Sequence, residues 1–232
     1  MSDILYGRNT VEAAINNKRV KKIYILENHD LLNLVEKNNI PYEIVNRNRL
    51  DNMAKKENHQ GILAEVRSFK FSTIDEITKK ENGFIVMLDN LNDVHNLGAI
   101  IRTCECAGVD GLVYKKNNNV RVNETVAKVA SGALEYMKIV EVTNLTNTIK
   151  QLKDKGYWVY GSAGDADDSY DNHDYKENVV LIIGGEGDGM SRLVKENCDH
   201  IISLPLNGKI NSLNASVAAG ILIYEVIEKR NS

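Results

Sequence analysis

The run FIVMLDNLNDVHNLGAIIRTCECAGVDGLVY, residues 84–114, decides the fold class. Phe84 to Leu88 is a wholly apolar stretch of strand length, and Gly111 to Tyr114 is a second. Between them lies a loop of amides and acids (Asp89, Asn90, Asn92, Asp93, His95, Asn96) and then a helical segment, Leu97–Ala107. Asn96 stands where an N-cap is expected, because its short side chain can accept from a free first-turn amide. Apolar strands separated by helices make a parallel sheet covered on both faces. A polar cluster where strand meets helix is where such sheets place ligands. Arg102, alone among Ala99, Ile100, Ile101 and Cys104, is the group to explain. A guanidinium there can hold a phosphate or polarise an attacking hydroxyl; a surface ion pair with Glu105 is the plainer alternative.

The same rhythm extends from residue 83 to the C-terminus. Strands are expected at Phe84–Leu88, Gly111–Tyr114, Lys138–Val142, Tyr157–Ser162, Val179–Gly184 and His200–Leu204. Helices are expected near Leu97–Ala107, Glu124–Ser131, Leu145–Lys155, Ser191–Asn197 and Leu213–Lys229. Upstream, a smaller α/β unit is expected over residues 1–67. It has helices at Thr10–Asn17, Asp30–Asn38 and Arg47–Lys56 and strands at Lys22–Leu26, Tyr42–Val45 and Gly61–Val66. Residues 68–82, polar and weakly periodic, form a linker with one short helix, and residues 83–232 form the larger α/β domain.

Composition narrows the function classes. The 232 residues are 43% hydrophobic and 26% charged, with a net charge of −3. The first 82 residues carry 14 Lys and Arg against 12 Asp and Glu, and the rest 15 against 20. Whole-molecule charge thus argues against non-specific nucleic-acid binding, while Lys18-Arg19-Lys21-Lys22, Arg47-Arg49 and Lys55-Lys56 can still grip phosphates locally. No apolar run approaches the roughly 20 residues of a membrane helix, and the N-terminus lacks the pattern of a signal peptide. Cys104, Cys106 and Cys198 have no paired spacing and suit a reduced cytoplasm as small buried hydrophobes. The five histidines, His29, His59, His95, His173 and His200, are scattered, so no metal site is expected. No GxSxG elbow or Walker loop is present.

Two further runs carry chemistry. IIGGEGDGM, residues 182–190, again goes from strand through loop to helix. Its glycines (184, 185, 187, 189) do not form the dinucleotide fingerprint, and Glu186 and Asp188 oppose a pyrophosphate at a helix N-terminus. A ligand neutral or cationic at its reactive end suits this loop better, with glycines that let backbone approach a flat base or ribose. LNGKINSLNAS, residues 206–216, leads into a helix of small residues. Ser212 or Asn211 is its expected cap, and Asn214 and Ser216 then fall inside the helix, where a polar role would explain them.

Taken together, HNLGAIIR (95–102), IIGGEGDGM (182–190) and SLNASVAAGI (212–221) resemble the three motifs of the SpoU, or TrmH-like, branch of the SPOUT RNA methyltransferases. YGRNTVEAAI (6–15) and HQGILAEV (59–66) are similar to the ribosomal-protein-like RNA-binding domain that precedes the catalytic domain in some members. That extension is found in the 23S rRNA guanosine 2′-O-methyltransferases of the branch. The resemblance implies a trefoil-knotted C-terminal α/β domain, S-adenosyl-L-methionine as cofactor, methylation of a ribose 2′-hydroxyl of a guanosine in 23S rRNA, and a homodimer without membrane or metal. It implies Arg102, Asn96, Glu186, Ser212 and Asn214 as catalytic residues. Gly164, Gly184, Gly185, Leu204 and Leu213 would hold the cofactor. A 2′-O-methyltransferase acting on tRNA, a non-catalytic RNA-binding protein and a nucleotide-dependent oxidoreductase stay open as alternatives.

Overall fold

In the computed structural model, which describes residues 3–116, 120–185, 187, 189–210 and 212–232, the apolar runs pair into two sheets. The elements of the first half are β1 (Asp3–Tyr6), α1 (Arg8–Asn16), β2 (Val20–Ile25), α2 (Leu32–Lys37), β3 (Tyr42–Ile44), α3 (Arg47–Met53) and β4 (Ile62–Val66). They continue with α4 (Ile74–Ile77), β5 (Phe84–Asp89), α5 (Val94–Cys106), β6 (Gly111–Lys115), α6 (Glu124–Val129), β7 (Ile139–Val142) and α7 (Leu145–Lys153). Last come β8 (Tyr157–Ser162), β9 (Asp168–Ser169), β10 (Asn178–Gly184), α8 (Arg192–Lys195), β11 (His200–Ser203) and α9 (Ala215–Asn231).

One unit comprises residues 1–70 and 122–136. Its sheet has the order β1-β4-β2-β3, with β4 antiparallel to β1 and β2, and β2 parallel to β3. The strand β1 has no counterpart among the expected elements: four residues show too little periodicity, and it is defined by its ladder to β4. Tyr6, Tyr24, Leu50 and Leu63 pack together as one core cluster. The helix α6, which the periodicity assigns to the C-terminal rhythm, packs instead on β1. Thr10 Oγ1 donates to the Ala127 carbonyl at 3.3 Å, and Arg19 Nε lies 3.0 and 2.9 Å from the two Glu135 oxygens. Those two side chains are only 13% and 3% exposed, and Val126, Ala127, Ala130 and Leu134 are buried beside them. The expected basic clusters are therefore partly spent inside the unit: Arg19 pairs with Glu135, and Lys22 and Arg49 both pair with Glu43.

The other unit comprises residues 71–121 and 137–232. Seven strands, parallel throughout, lie in the order β7-β6-β5-β10-β8-β11-β9. Every residue of β5 is buried, as a strand covered on both faces requires. Ile85, Met87, Val180 and Ile182 pack with Ile149 and Leu152 of α7 and with Ile74 and Ile77 of α4. The stretch expected as a linker thus supplies core residues, and its short helix has a capping box between Thr73 and Glu76. On another side α5 packs against α9, and α9 against β10. The chain runs outward from β5 to β6 and β7, then returns to β8, with β10 inserted between β5 and β8. That reversal of strand order is the kind of switch point beside which ligand crevices form.

The cysteines divide. Cys104 is buried, Cys198 is partly buried with its thiol pushed up to about 12 by burial, and Cys106 is exposed. Among the described residues no helix is long and apolar enough to cross a membrane.

Candidate active site

A cavity of about 460 Å³ opens at the carboxyl ends of β8, β10 and β11. Ser162, Ala163 and Gly164 line it where β8 ends, and Ile183, Gly184 and Gly185 where β10 ends. Ile202, Leu204 and Leu206 line it at and beyond β11. The approach to α9 completes the wall through Ser212, Leu213, Asn214 and Ala215. The cavity thus gathers Gly164, Gly184, Gly185, Leu204, Leu213, Ser212 and Asn214 from four stretches of chain. Ser162 and Ile202 lie outside the motif runs, and their only signal in the sequence is position at the end of an apolar strand; Ile183 and Leu206 fall inside the runs without standing out as candidates.

Two of the glycines have a structural reason beside the one their spacing suggests. A Cβ on Gly185 would stand 1.9 Å from the Asn90 carbonyl oxygen, and one on Gly184 2.5 Å from the backbone of Gly189 and Met190. Gly185 also forms a bridge with Gly189. The loop therefore needs these two glycines for its own backbone packing, before any ligand approaches. Asp89 helps to hold it: this carboxylate, 2% exposed at the end of β5, accepts from Ser191 N at 2.7 Å. Gly185→Ala is expected to cost about 1–3 kcal/mol, as forced overpacking does. A thermal melt unchanged from the parent would contradict this account of the loop.

The polar residues are distributed less simply. Helix α5 begins at Val94, and its cap is Asp93, which accepts from His95 N at 2.7 Å. Asn96 is therefore not the cap; it lies in the first turn and is buried, so its amide calls for another role. Conversely, Asn214 is not inside α9 but caps it, its Oδ1 accepting from Ser216 N at 2.9 Å and Val217 N at 3.3 Å. Capping is a sufficient reason for an asparagine there. Glu186, Asp188 and Asn211 lie outside the described residues. Arg102 is in the third turn of α5, exposed, and not among the described residues that line the cavity of its own chain. Among the described residues it makes no hydrogen bond or ion pair, so the pairing with Glu105 is not formed.

None of the described lining residues carries a charged side chain. Leucine and isoleucine walls with backbone groups at strand ends suit a flat, neutral ring with a few hydrogen-bonding atoms. They offer no cation for a pyrophosphate, which weighs against the oxidoreductase alternative.

The chain is similar to known proteins in sequence and in fold. Residues 83–224 match the SpoU rRNA Methylase family, and residues 4–72 match a family described as RNA 2′-O ribose methyltransferase substrate binding. YacO of Bacillus subtilis (strain 168), whose name places it among TrmH family tRNA/rRNA methyltransferases, is 40% identical over 241 residues, covering 99% of this chain and 96% of its own. The SpoU methyltransferase AviRb from Streptomyces viridochromogenes, solved in complex with AdoMet, superposes with a TM-score of 0.86 over 98% of this chain and 90% of that one. Its identity is 20%, so that likeness concerns the fold. The TrmH/SpoU tRNA modifying enzyme of A. aeolicus is 31% identical with a TM-score of 0.60, over 67% of this chain and 80% of that one.

Proposed function

Because the chain belongs to the SpoU (TrmH) family of RNA methyltransferases, we propose that it methylates a ribose 2′-hydroxyl, that of a guanosine in 23S ribosomal RNA, using S-adenosylmethionine in the cytoplasm as a homodimer. The observation that carries this reading is the glycine-walled cavity at the carboxyl ends of β8, β10 and β11, whose described lining residues carry no charged side chain. Its donor set fits the cofactor. Ile183, Leu204 and Leu206 would flank the adenine, and the backbone of Gly184, Leu204 and Leu213 would hold its polar edge, with Gly164 and Gly185 in the wall. Bound there, the cofactor supplies a methyl group on a sulfonium, which is already an excellent leaving group. The trefoil knot belongs to the same proposal and rests on membership of the family.

The demand on the protein is then alignment, together with removal of a proton from a weakly acidic alcohol. A guanidinium stays protonated in proteins, so Arg102 acts by stabilising developing alkoxide or by orienting a substrate phosphate. Asn96, Ser212, Asn214 and Glu186 would position Arg102 and the ribose. The homodimer explains why Arg102 stands outside its own chain's cavity: a second copy would bring it to the acceptor. Support comes from α9 and its approach, where Leu213, Val217, Ile221 and Tyr224, spaced by four, four and three, are 40%, 50%, 41% and 52% exposed. An apolar stripe of that kind is what a second subunit covers, and α5, which carries Arg102, packs against α9.

Ribosomal RNA is favoured over tRNA by the substrate-binding family matched over residues 4–72, since the likeness to the A. aeolicus tRNA enzyme covers 67% of the chain. Titration calorimetry with S-adenosylmethionine and with NAD, followed by transfer of labelled methyl to 23S rRNA and to tRNA, tests the whole reading. The expected result is uptake of S-adenosylmethionine alone, and label at one alkali-resistant ribose of 23S rRNA. NAD uptake would overturn the enzyme class, and label confined to tRNA would overturn the substrate.

A further inference from the structure

The spacing of histidines along the chain predicts no metal site, but the fold brings three ligand types together away from the cavity. Asp168, His173 and His200 each offer a ligand atom, and these atoms lie within 4.8 Å of one another. We propose that Asp168, His173 and His200 form a binding site for a divalent ion of the zinc class, which staples the edge strand β9 to β11.

The construction of the cluster supports this assignment. Asp168 lies on β9, a strand of two residues whose partner is β11, in the register Ile202 with Asp168. His200 is two residues before Ile202 on the same strand, and His173 follows the single helical turn Tyr170–Asn172 that leaves β9. The three ligands therefore come from two neighbouring strands and one tight turn. His173 Nε2 is 2.8 Å from Asp168 Oδ2, while Asn172 donates to Asp168 Oδ1 at 3.1 Å and so orients the carboxylate. Tyr160 stacks on His200 at 4.9 Å and meets His173 edge-on at 5.0 Å. Rings held from behind, with a carboxylate fixed through its second oxygen, are the supports that metal ligands need.

The chemistry of the set selects the ion. Two imidazoles and one carboxylate suit zinc, cobalt or a similar borderline ion, and disfavour magnesium and calcium, which take oxygen ligands. Zinc bonds of about 2.0–2.2 Å place tetrahedral ligand atoms roughly 3.4 Å apart, so the close pair must open and the widest pair must draw in, by ring rotation. The ion would lie between His173 Nε2 and Asp168 Oδ2, where the two atoms now meet at 2.8 Å. Asp168 and His173 side chains are 36% and 17% exposed, which leaves an open side for water as a fourth ligand. None of the three ligands lines the cavity, yet Gly164 precedes Asp168 by four residues and Ile202 follows His200 by two, and both do line it. The ion is thus placed to stiffen the cavity wall without taking part in methyl transfer.

The test uses the full chain stripped by a chelator and titrated with ZnCl2 against a chromophoric chelator, with MgCl2 as control. CoCl2 provides a visible absorption band that reports geometry. The expected result is one zinc per chain, no competition by magnesium, and a higher melting temperature with zinc. Asp168→Asn and His173→Gln, checked for folding by their melts without metal, should weaken zinc binding by about 100-fold and abolish the zinc-dependent rise. Failure to take up zinc would overturn the proposal, leaving the cluster a hydrogen-bonded and aromatic clip. Equal uptake by both variants would overturn it too, since the ion would then sit elsewhere.

Discussion

Arg102→Ala is expected to lower the rate of methyl transfer by about 10²–10³-fold or more, the loss seen when a donor to developing negative charge is removed. S-adenosylmethionine affinity and the thermal melt should stay at the parent level. The separation follows from where the residue stands. Arg102 is exposed on α5, is not among the described residues lining its own cavity, and makes no hydrogen bond or ion pair among the described residues. Its removal therefore leaves no buried group without a partner and opens no void. Arg102→Lys sharpens the result, because it keeps the charge but loses the planar fork that grips an oxyanion or phosphate at two points. A partial return of rate with lysine would favour simple charge stabilisation; no return would favour two-point positioning. Single-turnover transfer and calorimetry on the same samples read both quantities, and retained turnover in the alanine variant would remove Arg102 from the mechanism.

Arg230→Met should cost about 3 kcal/mol of stability, although this residue belongs to none of the three motif runs. From the last turns of α9 its Nε donates to the Tyr175 carbonyl at 2.8 Å and its Nη1 to that of Asn82 at 2.7 Å. Its Nη2 donates to the carbonyls of Gly83 at 3.2 Å and Glu177 at 2.7 Å. The guanidinium also lies over the Phe84 ring, 5.3 Å from its centre. One side chain thus ties the C-terminal helix to the chain entering both β5 and β10, the two central strands. Burial draws its pKa below the usual arginine value, a cost that the four carbonyls offset. Hydrogen bonds to a charged group contribute about 1.5–3 kcal/mol each, but water reaches several of these, so the sum is discounted heavily. Methionine keeps much of the stem's packing and removes every donor. Lysine, with one compact head, cannot reach four diverging acceptors and should fall between the two. Urea unfolding checks the ordering; a methionine variant within about 0.5 kcal/mol of the parent, the range of ordinary surface changes, would show the bridge to be idle.

Much of this molecule is legible in one dimension because the relevant physics is local. Alternation of apolar strands with helices marks all but two of the strands, β1 and β9, and fully buried runs such as Phe84–Leu88 announce a sheet covered on both faces. The three loops at strand ends are likewise visible, since amides, glycines and small residues depart from the pattern of packed elements. Local rules also mislead where two of them compete. Asn96 and Ser212 look like caps, but the caps are Asp93 and Asn214, because the start of a helix is set by packing of its first turn as well as by its capping residue. The glycines of 184–189 look like a cradle for a ligand, yet Gly185 is required by Asn90, a residue 95 positions away. Local patterning was enough to read the class of fold, the order of the two halves and the residue types gathered in each motif. It took packing across the fold to reveal that α6 leaves the C-terminal rhythm to pack on β1, that Arg230 bridges the chain entering β5 and β10, and that Asp168, His173 and His200 converge. Those outcomes depend on which strands the sheet sets side by side, and no periodicity within a few residues encodes the neighbour a strand will find across the fold.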